Sequence, residues 1–189
     1  MNMRVALAAL VLLVAAVSTG CGGPVIALNS DRYMPQFDAS PLANYRGRAL
    51  VMRNFENADE NTTIFVYPRS GPRRYGGPVL TSYFWYCFRT AFERLGVRVY
   101  EEGQAPANLP MMDVRLLHLD ESGYTVSVRV LSAESQSPLQ KQYSVPGPPV
   151  TQQQAAVLEA RAYQMTTTLF WEIVTDPQFQ AIVAPVVRP

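Results

Sequence analysis

The stretch Met112-Asp113-Val114-Arg115-Leu116-Leu117-His118-Leu119-Asp120-Glu121-Ser122-Gly123-Tyr124-Thr125-Val126-Ser127-Val128-Arg129-Val130-Leu131 decides the fold. In its second half Tyr124, Val126, Val128 and Val130 alternate with Thr125, Ser127 and Arg129. That period of two puts an apolar set on one face of a strand and a polar set on the other. The first half reads as a strand over 112–119, and Asp120-Glu121-Ser122-Gly123 joins the two with glycine at the turn, a hairpin signal. One face packs and the other is wetter, so a half-buried antiparallel sheet is expected at the centre of the molecule.

Outward from this hairpin, residues 48–55 are β-like, with Leu50, Met52 and Asn54 alternating against Val51, Arg53 and Phe55, and 62–67 form a second β-rich run. Residues 57–61 and 68–77 carry loop chemistry. A helix is expected over 79–95, because Gly77-Pro78 supplies an N-cap with a proline at the first helical position and Gly96 supplies the C-terminal glycine. Residues 97–100 read as a short strand, 103–110 as a loop, and 140–145 as the strand that completes the sheet. Thr151-Gln152-Gln153-Gln154 is a capping-box pattern opening a helix to about residue 174. Its apolar stripe is Ala155, Leu158, Ala162, Met165, Leu169 and Ile173. Asp176-Pro177 restarts a short helical turn. Two helices on one face of a mostly antiparallel sheet satisfy all these elements, so the expected fold is an α+β two-layer sandwich.

The N-terminus sets the domain organisation. Arg4 precedes an apolar run over 5–17, about 13 residues, and then Ser18-Thr19-Gly20-Cys21. A transmembrane helix needs about 20 residues, so the run reads as a cleavable signal peptide over 1–20. The small residues before Cys21 are those of a lipoprotein cleavage site, although the third residue before the cysteine is Ser18 where lipoproteins usually carry Leu. An ordinary secretory signal with a coincidental cysteine is the alternative. Cys21 would carry a diacylglyceryl group and an N-acyl chain, enough for stable anchoring. Residues 21–44 show no sustained period and read as a flexible tether after the lipidated cysteine. A single domain is then expected over 45–184, with a loose tail over 185–189.

Arg4 is the one charged residue of the first 20, leaving 15 basic and 15 acidic residues behind it. That balance argues against nucleic acid as a partner, which requires a surplus of basic side chains on one face. Once Cys21 is acylated Cys87 is a lone thiol, and its helical neighbours Leu80, Phe84, Ala91 and Leu95 place it on an apolar arc as a small core hydrophobe. His118 is the only histidine. With Asp120 it offers two ligands and no third, too few for a zinc site. The carboxylate pairs Asp59-Glu60, Glu101-Glu102 and Asp120-Glu121 fall in expected loops, where nothing separates their pKa values for acid/base work. No nucleophile elbow, phosphate loop, zinc-protease or dinucleotide motif occurs. The chain is therefore expected to be no enzyme and to hold no metal or cofactor.

Two features point to binding. Residues 68–77 gather Arg69, Arg73, Arg74 and Tyr75 just before a helix, and guanidinium forks suit phosphate or carboxylate. The alternative is a solvated mobile loop. Tyr86 falls with Ser82, Arg89 and Glu93 on the polar side of the first helix, and Trp171 falls with Ala160, Gln164 and Thr168 opposite the stripe of the second. Exposed Tyr and Trp are typical interface anchors. The alternative is that residues 21–44 or 178–183 cover them.

With lipobox, tether and this β-to-helix order, the chain resembles the small periplasmic α/β lipoproteins. These include the auxiliary lipoproteins of ABC-type lipid or intermembrane transport, the lipoprotein activators of penicillin-binding proteins, and the curli-secretion lipoprotein with its TolB-N-like core. The resemblance covers about 45–176. It is carried by the early strand 48–55, the helix closing with Phe92-Glu93-Arg94-Leu95-Gly96-Val97, the paired strands 113–119 and 124–131, and the final helix. It implies no catalytic residues and work by binding: an anchored accessory subunit of a cell-envelope complex, with a transport auxiliary ranked ahead of a peptidoglycan-synthase regulator. An oligomeric secretion channel ranks third, since the strands are too short and polar-faced to line a barrel. Gly22 after the cysteine resembles the sorting signal for the outer membrane in diderm bacteria.

Overall fold

In chain order the protein forms β1 (Val25–Ile26), two 3-10 turns (Ser30–Arg32 and Ser40–Tyr45), β2 (Ala49–Met52), β3 (Glu56–Asn57), β4 (Ile64–Tyr67) and β5 (Gly71–Tyr75). Helix α1 (Leu80–Arg94), β6 (Arg98–Tyr100), β7 (Met111–Leu119), β8 (Gly123–Leu131), β9 (Leu139–Pro146), α2 (Ala155–Thr175) and α3 (Pro177–Val183) follow. The structure, a computed structural model, describes residues 25–26, 28–57, 64–67, 71–75, 80–119, 122–132, 138–149 and 154–184. The expected signal peptide over 1–20, Cys21, Arg69, Asp59-Glu60, Asp120-Glu121, the expected Gly77-Pro78 cap and residues 185–189 lie outside the described residues.

The fold is α+β, built on a mixed sheet of six strands. Its strands run in the order β6-β2-β7-β8-β9, with β3 also paired to β7. The long ladders β7–β8 and β8–β9 are antiparallel, while β6–β2, β2–β7 and β3–β7 are parallel. Register explains the burial. Val114 lies opposite Val128, Leu116 opposite Val126 and Val126 opposite Tyr143, so the alternating apolar sets of three strands stack on one face. A bulge between Leu116 and His118 shifts the alternation and lets Leu119 rejoin that face. Gly123 opens β8 because a Cβ there would lie 2.3 Å from the Val145 carbonyl oxygen. Strand β2, between two parallel neighbours, buries Leu50, Val51 and Met52 alike, as central parallel strands do.

The expected helix over 79–95 is α1. It ends as expected at Gly96, φ +81°, with Val97 N–H bonded to the Phe92 carbonyl at 3.0 Å and Gly96 N–H to that of Glu93 at 2.9 Å. Phe84 of this helix meets the buried sheet face through the ring of Tyr124, centroids 4.8 Å apart. Cys87, Leu80, Phe84, Ala91 and Leu95 are all buried. Helix α2 runs from Ala155 with Gln154 at its N-cap and no side-chain cap bond, and Thr151, Gln152 and Gln153 of the expected capping box lie outside the described residues. Ala155 is exposed, while Leu158, Ala162, Met165, Leu169 and Ile173 are buried.

Three expectations are corrected. Residues 28–44 are no flexible tether: Tyr33, Leu42 and the adjoining Tyr45 are buried, and Ile26 before them is buried too. This segment straps α2. Tyr163 donates its hydroxyl to the Asn29 carbonyl at 2.7 Å, Thr167 bonds Tyr33 at 3.2 Å, and Tyr45 donates to the Val174 carbonyl at 2.8 Å. Packed structure therefore extends back at least to β1, ahead of the expected residue 45. Second, residues 71–75, expected as loop, form β5, which pairs antiparallel with β4 and parallel with β1. Its ladder partners on both sides override the low strand preference of Gly and Pro. Third, the described part of the 62–67 run, β4, does not join the main sheet but belongs to the separate three-stranded sheet β1-β5-β4.

Candidate functional site

Helix α1 is apolar on one side, so its polar side stays outward and carries Tyr86, which is 49% exposed. The neighbouring Trp85 is buried instead. Its indole N–H donates to the Met52 carbonyl at 3.1 Å, fixing the ring over the end of β2. The Tyr86 ring stands edge-on to it at 5.1 Å, and the Arg89 guanidinium lies 5.6 Å from the Trp85 ring centre. Glu93 accepts from Arg89 Nε at 2.8 Å, which raises the guanidinium's pKa further.

Beside this aromatic step opens a cleft of about 280 Å³ lined by Asn54, Phe55, Thr81, Ser82, Trp85, Tyr86 and Glu101. Asn54 and Phe55 follow β2, and Glu101 follows the parallel strand β6. The cleft thus sits beyond the carboxyl ends of two parallel strands. Ligand pockets usually enclose about 300–1,000 Å³, so this one fits a partner's side chain or a small polar group. Arg53 next to it bridges Glu102 at 3.2 Å and Asp113 at 3.3 Å. Sequence reasoning found Tyr86 and missed the rest of the cleft, because Asn54 and Glu101 converge only through the parallel pairing.

The other expected binding residues separate. Trp171 is only partly exposed and packs on the core. The Phe37 ring lies 5.9 Å from it and 5.6 Å from that of Phe170. Phe37 of the strap thus covers part of Trp171, as the alternative reading allowed. Arg73, Arg74 and Tyr75 share strand β5, with Arg74 opposite Val25 and Ile64.

Elsewhere the polar groups hold structure. Burial pushes the Cys87 thiol up to about 12, against a smaller opposing effect of the Tyr83 hydroxyl. A thiol held there supplies no thiolate near neutral pH. His118 Nε2 sits 3.1 Å from the Ser122 hydroxyl at the hairpin end. Glu159, only 9% exposed, takes the Tyr163 hydroxyl and the Arg32 guanidinium, the latter at 3.4 Å, and so pins the strap to α2. Asp176 caps α3 by accepting the Gln178 N–H at 2.8 Å and that of Phe179 at 3.4 Å. It also accepts Lys141 at 2.6 Å and the Tyr143 hydroxyl at 3.1 Å. Burial alone would raise its carboxyl, but these donors outweigh it and hold the pKa below 3.8. No group of three or more metal-ligating side chains occurs among the described residues. No described helix is long and apolar enough to cross a membrane.

The α+β class is shared with a solved structure. The chain is similar to protein XCC0632 from Xanthomonas campestris, of the family DUF330, with a TM-score of 0.52 and 15% identity over 79% of this chain and 91% of that one. At that identity the likeness is one of fold. A second structure, described as an uncharacterized protein, gives a TM-score of 0.44 at 9% identity, covering 80% of this chain and 99% of the other. No family model and no curated protein matches the sequence.

Proposed function

We propose that this protein is a membrane-anchored, non-enzymatic accessory lipoprotein of a bacterial cell-envelope complex, a transport auxiliary that works by binding protein or lipid. The observation that carries the reading is the sequence of the first 21 residues: Arg4, the apolar run, and Ser18-Thr19-Gly20-Cys21. Strand β1 starts at Val25, so an anchor on Cys21 leads almost directly into packed structure. That arrangement suits a subunit held against a periplasm-facing leaflet, with the outer membrane favoured by Gly22. The cleft beside Tyr86 supplies a surface where a partner's side chain could seat on exposed aromatic area at low entropic cost.

Metabolic labelling with palmitate tests the anchor. Wild-type protein is expected in the membrane fraction with label on Cys21, and Cys21→Ser should abolish labelling and release the protein. A variant that is still processed and membrane-bound would overturn the lipoprotein reading. A photo-crosslinker at position 86 then identifies the neighbour: a transport component supports the proposal, and a peptidoglycan synthase refutes its transport half.

A further inference from the structure

Taking the cleft beside Tyr86 as the partner surface, as proposed above, we infer that the side chain it receives is an arginine of a partner protein. Among the described lining residues Glu101 supplies the one formal charge, and the other groups are aromatic rings, the Asn54 amide and the hydroxyls of Thr81 and Ser82. Asn54, Ser82 and Glu101 are exposed and Tyr86 is half exposed, so these groups stand open to an incoming side chain.

The protein's own arginines beside the cleft have their charge met outside it. Arg89, next to the Trp85 ring, is held by Glu93 at 2.8 Å. Arg53, which precedes Asn54, is shared between Glu102 at 3.2 Å and Asp113 at 3.3 Å, so two carboxylates divide one guanidinium. Glu101 joins no ion pair among the described residues and acts on Arg89 only through space. The surroundings are therefore short of positive charge. The first turn of α1, which carries Thr81 and Ser82, opposes a cation with a partial charge that solvent screens. An anion would meet Glu101, and a neutral side chain would strip water from that carboxylate without pairing it.

Arginine answers these groups better than lysine. A planar guanidinium stacks on an aromatic ring and still presents donors at its edge. Tyr86 offers the ring, while Glu101, the Asn54 amide oxygen and the two hydroxyls offer acceptors around the same hollow. The molecule shows this pairing once already, with the Arg89 guanidinium 5.6 Å from the ring centre of Trp85 on the same aromatic step. A volume of about 280 Å³ takes one such side chain and falls below that usual for a whole small-molecule ligand.

The test titrates the full acylated protein, isotope-labelled in uncharged detergent micelles, with the blocked tripeptides Gly-Arg-Gly, Gly-citrulline-Gly and Gly-Glu-Gly. Citrulline keeps the shape of arginine and loses its charge. The arginine peptide should shift the Trp85 indole N–H and the Ser82 amide saturably, binding about three- to fivefold tighter than the citrulline peptide. The glutamate peptide should shift neither. Glu101→Gln should bring the arginine peptide down to the citrulline level and leave citrulline unchanged, the pattern of a coupled pair and not of a disturbed fold. Tyr86→Leu, which keeps apolar bulk, should weaken the arginine peptide about two- to fivefold. Both positions are exposed, so neither substitution threatens folding. Equal binding of arginine and citrulline, an arginine affinity untouched by Glu101→Gln, or no binding of any peptide overturns the inference. In cells, a crosslinker at position 86 that captures a protein through a segment carrying arginine supports it, and capture of lipid alone overturns it. Capture of a transport component with no preference for the arginine peptide refutes the arginine and leaves the cleft as the partner surface. Loss of all capture at position 86 defeats the underlying reading and this inference with it.

Discussion

The rings of Phe37 and Trp171 lie 5.9 Å apart at 39° to one another, joining a residue of the N-terminal strap to the outer side of helix α2. Phe37 also stacks on Phe170 at 5.6 Å, and the Arg94 guanidinium lies 5.6 Å from its ring centre. One side chain therefore closes the gap between both helices and the strap. Phe37→Ala should cost about 3 kcal/mol, the low end for removing a large aromatic, because the site is only partly buried. Tryptophan emission should shift to the red as Trp171 meets water. Unchanged stability and emission would show that the strap does not cover Trp171 in solution.

Tyr86 should behave in the opposite way. Half of its surface is already exposed, and it lines the rim of the cleft. Tyr86→Ala should change stability by about 1 kcal/mol or less. It should weaken partner capture by about 2 kcal/mol, some 30-fold in Kd, if the cleft is the binding surface. Melting curves and quantitative pull-down on the same preparation separate the two effects. Capture at wild-type strength would remove Tyr86 from the interface.

These two aromatics show where sequence reading succeeds and where it stops. Elements with a sustained period were legible: β8 through Tyr124, Val126, Val128 and Val130, and α1 through the arc ending at Leu95 and the positive-φ Gly96. The strap has no period, because Tyr33, Phe37, Leu42 and Tyr45 enter the core at irregular intervals from turns and extended backbone. Only the tertiary position of α2 shows that they have somewhere to go. The same fact bears on Trp171, since Phe37 of the strap lies against its ring while Ala160, Gln164 and Thr168 on that side of α2 stay exposed. Strand β5 was hidden for another reason. Gly71-Pro72-Arg73-Arg74-Tyr75 has loop composition, and only its two ladder partners make it a strand.

Cys87 should be chemically silent in the folded protein. Burial lifts its thiol to about 12, and the side chain is fully covered. A water-soluble thiol reagent at pH 8 should label neither native nor mildly warmed protein, and should modify this residue on denaturation. Cys87→Ala should lower stability by about 1–3 kcal/mol through a small cavity, with partner capture unchanged. Rapid labelling of the native state would mean that α1 opens locally.

Asp176 sets the acid limit of stability. Its carboxylate caps α3 and receives Lys141 and Tyr143, so it joins β9 to the junction of the last two helices. The folded pKa is depressed below 3.8, and the unfolded chain therefore takes up the proton first as pH falls. The stabilisation is complete above about pH 5, declines as pH falls through 4, and is gone once the folded carboxyl itself is protonated. Asp176→Asn keeps a good capping side chain and loses the charge, so it should flatten this acid limb while costing less than Asp176→Ala. The alanine variant should lose about 2–4 kcal/mol at pH 7, combining a lost cap with lost charge-assisted hydrogen bonds. Urea melts of the three proteins from pH 3 to 7 check this. An acid limb as steep in Asp176→Asn as in wild type would assign acid sensitivity to another carboxylate.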